Sequence, residues 1–183
     1  MASAFGHALT AYALGNNFRK NIHNWKFYLL GVICSILPDA DVVSFQFGIP
    51  YKSFWGHRGF SHSFVFALII SIFFMFLFFN KKTNRIQKIW IVIYLFLCTA
   101  SHGILDAMTS GGRGVALLAP FDNTRYFFPF RPIKVSPIGI EKFFSNWGLQ
   151  VLISEFIWIG IPSLILIALA IFVKKRKNNY GIQ

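Results

Sequence analysis

The feature that most constrains this chain is a succession of long apolar runs separated by short polar stretches. About 18 or more apolar residues in a row can cross a bilayer as a helix. Gly59 to Phe79 is such a run, dense in Phe and Ile; Ile89 to Thr109 and Trp147 to Val173 are two more. Phe27 to Val43 is a fourth, with Pro38 near its far end. In lipid the backbone groups must be satisfied internally, so the runs are expected to be helices joined by turns. Ala2 to Gly15 is apolar and rich in small residues. As a helix it would be about 21 Å long at 1.5 Å per residue, short for a crossing, and it reads as a short or re-entrant helix packed into the bundle. The expectation is an all-α, polytopic transmembrane bundle: four long helices plus a short N-terminal helix, in one membrane domain over residues 1–183. Its longest non-helical stretch, residues 110–146, carries four prolines and reads as an extracytoplasmic loop.

Composition agrees. Only 13% of the residues are charged, against about 25% in soluble domains, and the mean hydropathy is +0.55. The net charge of +12 is not a nucleic-acid signature, because the basic residues sit in clusters between apolar runs rather than along a polar stripe. Segments 18–26, 80–88 and 174–183 hold 11 of the 18 Lys and Arg residues. The positive-inside rule places them in the cytoplasm of a multi-pass protein of the plasma or inner membrane. Nothing basic precedes Ala2 to Gly15, so that segment does not read as a signal peptide. Cys34 and Cys98 lie inside apolar runs and read as buried free thiols.

The chain has six acidic residues and five histidines. An ionisable group at the centre of a membrane helix costs about 2.5–3.5 kcal/mol or more, so each needs a reason. Asp39 and Asp41 end the Phe27 helix, His57 and His62 flank the start of the Gly59 helix, and His102 and Asp106 occupy the last turns of the Ile89 helix. All six fall at the outer face in this topology, and an inward-running N-terminal helix brings His7 there too. His23 alone falls in a cytoplasmic linker, as a solvated residue. His102 and Asp106, at i and i+4, share a helix face. They either bind metal or hydrogen-bond across helices. Asp39 and Asp41 converge only if Pro38 marks an irregular helix end, or if each serves a different ion. Mixed imidazole and carboxylate ligands suit zinc, with manganese or iron as alternatives. Six or seven ligands exceed one tetrahedral shell and favour two divalent ions, which activate water and stabilise a displaced oxygen. Glu155 pairs with a loop arginine or serves as a base behind the ligands.

The long loop mixes Arg113, Arg125, Arg131 and Lys134 with Phe121, Tyr126, Phe127, Phe128 and Phe130. Arginine forks match phosphate oxygens, and aromatic residues settle at the membrane interface. The group either holds a lipid phosphate over the metals or anchors the loop to anionic lipid. Arg58, between the two histidines, is the best single candidate for a substrate-phosphate contact, with Arg125 and Arg131 beside it.

Gly6-His7, Leu37-Pro38-Asp39-Ala40-Asp41, His57-Arg58-Gly59-Phe60-Ser61-His62-Ser63 and Ser101-His102-Gly103-Ile104-Leu105-Asp106 with Thr109 occur in this order. With Leu118 to Phe121, Arg125 to Phe127 and Val135 to Pro137, they resemble the YdjM-like family of membrane-bound, metal-dependent hydrolases over most of the chain. The resemblance implies His7, Asp39, Asp41, His57, His62, His102 and Asp106 as metal residues. A more distant likeness is to zinc-dependent phospholipase C, whose helical site also uses a His-x-x-x-acid element.

The function expected is hydrolysis of a phosphoester in a membrane lipid or lipid-linked substrate at the outer face. Asp39 or Asp106 serves as general base instead of ligand, and Arg58 and the loop arginines hold nonbridging oxygens. Two rivals stand beside it. A metal or proton transporter needs His and Asp residues along a path through the membrane, and the inner halves of these helices lack them. A non-catalytic membrane protein with a structural metal site needs a closed ligand shell.

Overall fold

A computed structural model describes residues 1–18, 22–81, 83–137 and 143–179. Arg19, Lys82 and Glu141 lie outside the described residues. Five helical stretches carry the fold, and no strand longer than an isolated bridge occurs among the described residues. Helix α1 is Ala4–Gly15, α2 is Trp25–Ile36, α3 is Phe64–Phe79 and α4 is Arg85–Ala107. Helix α5, Asn146–Glu155, runs through a π turn at Phe156–Gly160 into α6, Ile161–Asn179.

Local sequence explains most of the boundaries. Asn24 caps α2 by accepting from Phe27 N at 2.9 Å, and Ser63 caps α3 by accepting from Phe66 N at 3.1 Å. Asn84 and Gln87 form a reciprocal capping box on α4, which satisfies two of the N–H groups a helix start leaves without partners.

Three stretches are long and apolar enough to cross a membrane: Trp25–Phe47, Arg85–Ala107 and Asn146–Arg176. The expected fourth, Gly59 to Phe79, comes out shorter. Its first residues form a single 3₁₀ turn, Phe60–His62, and α3 keeps only 16 residues. That is about 24 Å of helix against a hydrocarbon core of about 30 Å. The Phe27 run also changes character. Pro38 cannot donate to a continuing α-helix, and Leu37–Phe47 is wound as 3₁₀.

The bundle has an apolar end and a polar end. From the start of α2 and the first half of α4 up to Cys34 and Cys98, Phe27, Met75, Phe79, Leu95 and the two cysteines pack into one buried cluster with Tyr94. Phe27 and Tyr94 stack with ring centroids 3.9 Å apart. Gly31 makes this possible, because a Cβ there would stand 2.0 Å from Tyr94 Oη. Both cysteines are buried and free, as expected. Helix α1 packs against α2, α4 and α6. His23, expected to be solvated, is half-buried, stacked on Phe27 and 3.1 Å from Tyr28 Oη through Nδ1. The polar end lies where α2 and α4 finish and α3 begins.

Candidate metal centre

Helix α4 presents His102 and Asp106 one turn apart, both fully buried. Helix α2 stops at Ile36, which leaves its last carbonyls without intrahelical partners. One of them, Ser35 O, lies 2.7 Å from His102 Nδ1. A carbonyl only accepts, so Nδ1 carries the proton and His102 Nε2 is bare. The 3₁₀ turn after Gly59 lays His62 against α4. Gly103 allows this approach, since a Cβ there would stand 2.6 Å from His62 O.

His62 Nε2 and His102 Nε2 stand 3.1 Å apart. Asp39 Oδ1 is 3.3 Å from His102 Nε2 and 3.6 Å from His62 Nε2. Asp106 Oδ2 is 3.7 Å from His62 Nε2. All four ligand atoms lie within 4.8 Å of one another. Donors about 2.0–2.1 Å from a tetrahedral ion stand about 3.3 Å from each other, so these spacings fit one ion. Asp39 Oδ1 and Asp106 Oδ2 are buried without a hydrogen-bond partner, although such atoms are normally satisfied. A cation among them would meet both.

His7 lies beside this quartet rather than within it. Its ring stacks on His102 at 3.9 Å between centroids, its Nε2 is 3.6 Å from Asp106 Oδ1, and neither ring nitrogen has a hydrogen-bond partner. Helix α1 is held there by its own start. Ala2 N donates to Asp106 Oδ1 at 2.7 Å, and Ser3 donates through both its N–H and its hydroxyl to the buried Glu155. Glu155 therefore pairs with Ser3 and not with a loop arginine.

Asp41 and His57 lie on the other side of His62. His57 Nδ1 is 2.5 Å from Asp41 Oδ1, and Asp41 Oδ2 is 3.1 Å from His62 Nδ1. Asp41, His57 and His62 also lie close enough to share an ion. His62 stands outside the membrane-spanning helices. Burial alone would pull its imidazole down, but Asp106, Asp39 and Asp41 overcome that and push it up to about 10.

Arg58 is buried and its φ of 63° is unusual for a non-glycine residue. Its backbone is pinned on both sides, N donating to Asp41 Oδ2 at 3.0 Å and O accepting from Ala116 N at 3.0 Å. Its guanidinium lies 3.0 Å from Asp106 Oδ2 through Nε and donates to Gly111 O at 2.9 Å and Thr109 Oγ1 at 3.2 Å. Arg125 donates to the carbonyls of His57, Tyr51 and Ser53. Arg131 is exposed and stacks on Phe127, while Arg113 is exposed over Tyr51. The contribution of Thr109, Ser35 and the Asp41–Ser61 pair was not anticipated from the sequence. Only the recurrence of Ser and Thr inside the histidine motifs hinted at it.

The family model described as YdjM inner membrane protein matches residues 1–178. Inner membrane protein YbcI of Escherichia coli (strain K12) is 34% identical over 169 residues, which cover 92% of this chain and 96% of that relative. No solved structure gives a significant match.

Proposed function

The chain belongs to the YdjM inner membrane protein family, and from that premise we propose that it is a membrane-embedded, metal-dependent hydrolase acting on a phosphoester of a lipid or lipid-linked substrate. The observation that carries this reading is the convergence of bare, buried ligand atoms from α4, the 3₁₀ segment and the His62 turn. Asp39, Asp41 and Asp106 converge on His62, Arg58 and the buried amino terminus. A divalent ion would take the place of the proton that these carboxylates hold on His62. Zinc suits this ligand set best, with manganese or iron as alternatives.

The ion would supply Lewis-acid activation of water and of a phosphoryl oxygen. Asp39, whose side chain is 11% exposed, is the member of the quartet open to solvent and the candidate to take the proton of an attacking water. That opening supports a catalytic site over a closed structural shell. Arg58 keeps Asp106 in place. Arg113 and Arg131 keep free donors for nonbridging phosphate oxygens, and Arg125 braces the loop that carries His57. Exposed Trp55, Phe121, Phe130 and Trp147 suit a lipid–water interface. The positive-inside rule puts this end on the extracytoplasmic side. Among the described residues, the apolar packing of Phe27, Leu95 and Met75 below the cluster speaks against a continuous carboxylate and imidazole path for a transporter.

The test is phosphate or headgroup release from a panel of phospholipids in mixed micelles by purified, zinc-loaded protein. His62→Ala and His102→Ala should abolish it while helical content is retained. Full activity in either variant would remove the assignment.

A further inference from the structure

The cluster contains two groupings that share His62: Asp39, His62, His102 and Asp106 on one side, and Asp41, His57 and His62 on the other. Six or seven candidate ligands suggested two ions. The hydrogen bonds separate the two groupings. Asp41 is already engaged by four groups: His57 Nδ1 at 2.5 Å on Oδ1, and Arg58 N at 3.0 Å, Ser61 Oγ at 2.5 Å and His62 Nδ1 at 3.1 Å on Oδ2. An ion placed there would have to displace protons from both ring nitrogens and compete with two further donors. Both oxygens of Asp41 have hydrogen-bond partners, whereas Asp39 Oδ1, Asp106 Oδ2 and both nitrogens of His7 have none and make only ion-pair or ring contacts.

Resting on the metal reading above, we propose that the centre holds a single ion, and that Asp41 is a positioning residue acting through His62. A proton on His62 Nδ1, shared between Asp41 Oδ2 at 3.1 Å and Ser61 Oγ at 3.0 Å, leaves Nε2 as the ligand atom. Ser35 O does the same for His102. The two Nε2 lone pairs then face each other at 3.1 Å. That separation is repulsive unless a proton or a cation lies between them, and both rings are held too firmly to turn away. A carboxylate or carbonyl behind a ligating histidine fixes its tautomer and raises its basicity. His57, bonded to the far oxygen of Asp41, keeps that carboxylate from swinging toward the ion.

The experiment is a zinc titration of the full-length protein in detergent, stripped by chelation, with bound metal counted by elemental mass spectrometry. The wild-type protein should saturate at one ion per chain, and His57→Gln should still bind one. Asp39→Asn should lose the ion. Asp41→Asn should bind about 10–100-fold more weakly, with metal-free thermal unfolding close to wild type and recovery of affinity in Asp41→Glu. Two ions in the wild type, falling to one in His57→Gln, would overturn the single-ion assignment and leave the metal reading standing. Unchanged affinity in Asp41→Asn would remove the positioning role. The wild-type count needs no variant, so a misfolded Asp41→Asn protein would not shield the proposal. No ion in folded wild-type protein after loading with zinc and manganese would overturn both.

Discussion

Replacing Gly103 by alanine sets two physical effects against each other. Gly103 lies inside α4, and alanine is the better helix former there by about 0.8–1.0 kcal/mol. Helix propensity alone therefore predicts a more stable protein. The tertiary structure predicts the opposite. The new Cβ would stand 2.6 Å from His62 O and 3.0 Å from Leu117 Cδ2. The oxygen belongs to the backbone next to Ser63, the residue that caps α3, and Ser63 N is itself bonded to Phe60 O. It cannot yield as a side-chain tip would. Relieving the overlap moves the His62 turn by several tenths of an ångström, and overpacking of this kind costs about 1–3 kcal/mol. The expected net is a loss of up to about 2 kcal/mol in the metal-free protein. The same shift takes His62 Nε2 outside the roughly 0.5 Å tolerance of a preorganised site, so zinc affinity should fall at least about tenfold, or 1.4 kcal/mol. Reversible unfolding in mixed detergent and a zinc titration read the two effects separately. A Gly103→Ala protein more stable than wild type with undiminished zinc affinity would show that the His62 turn is not seated on α4.

Three further outcomes are expected. Because the carboxylates hold His62 protonated up to about 10, zinc binding at pH 7.5 should release about one proton from this ring; calorimetry in buffers of different ionisation enthalpy measures it. In the metal-free protein this raised value contributes stability that is whole below about 6.5 and is lost as pH climbs through about 10, which denaturant titrations at several pH values will register. Arg58→Ala leaves Asp106 buried with its guanidinium partner gone and should cost about 3–5 kcal/mol, partly restored by zinc; a loss below 1 kcal/mol would mean the pair is not buried as described. Ser3→Ala removes the cap of α1 and both side-chain partners it serves, Gly6 N and Glu155, and should cost about 1–2 kcal/mol, read as earlier protease cleavage near His7.

The membrane class, the approximate position of every long helix and the gathering of His and Asp residues at one end were all legible in the sequence. Hydrophobic length and the scarcity of charge are local properties, and lipid leaves a chain few other ways to satisfy its backbone. The shortened α3 was not legible, because nothing in Phe60-Ser61-His62 forbids continuation of the helix that follows it. What decides it is the turn that carries His62 onto Gly103, a contact between residues some forty positions apart. The division of labour among the ligands was hidden for the same reason. Asp39 and Asp41 are chemically identical and two residues apart, yet the 3₁₀ winding after Pro38 sends one to the Nε2 atoms of His62 and His102 and the other to His57, Ser61 and the Arg58 amide. Arg58 looked free in the sequence and is bound on every side by Asp106, Thr109 and Gly111. Residue type and spacing thus determined which chemistry gathers at this end of the bundle. Only the tertiary structure decided which lone pairs remain open there, because each is opened or closed by a partner far away in the chain.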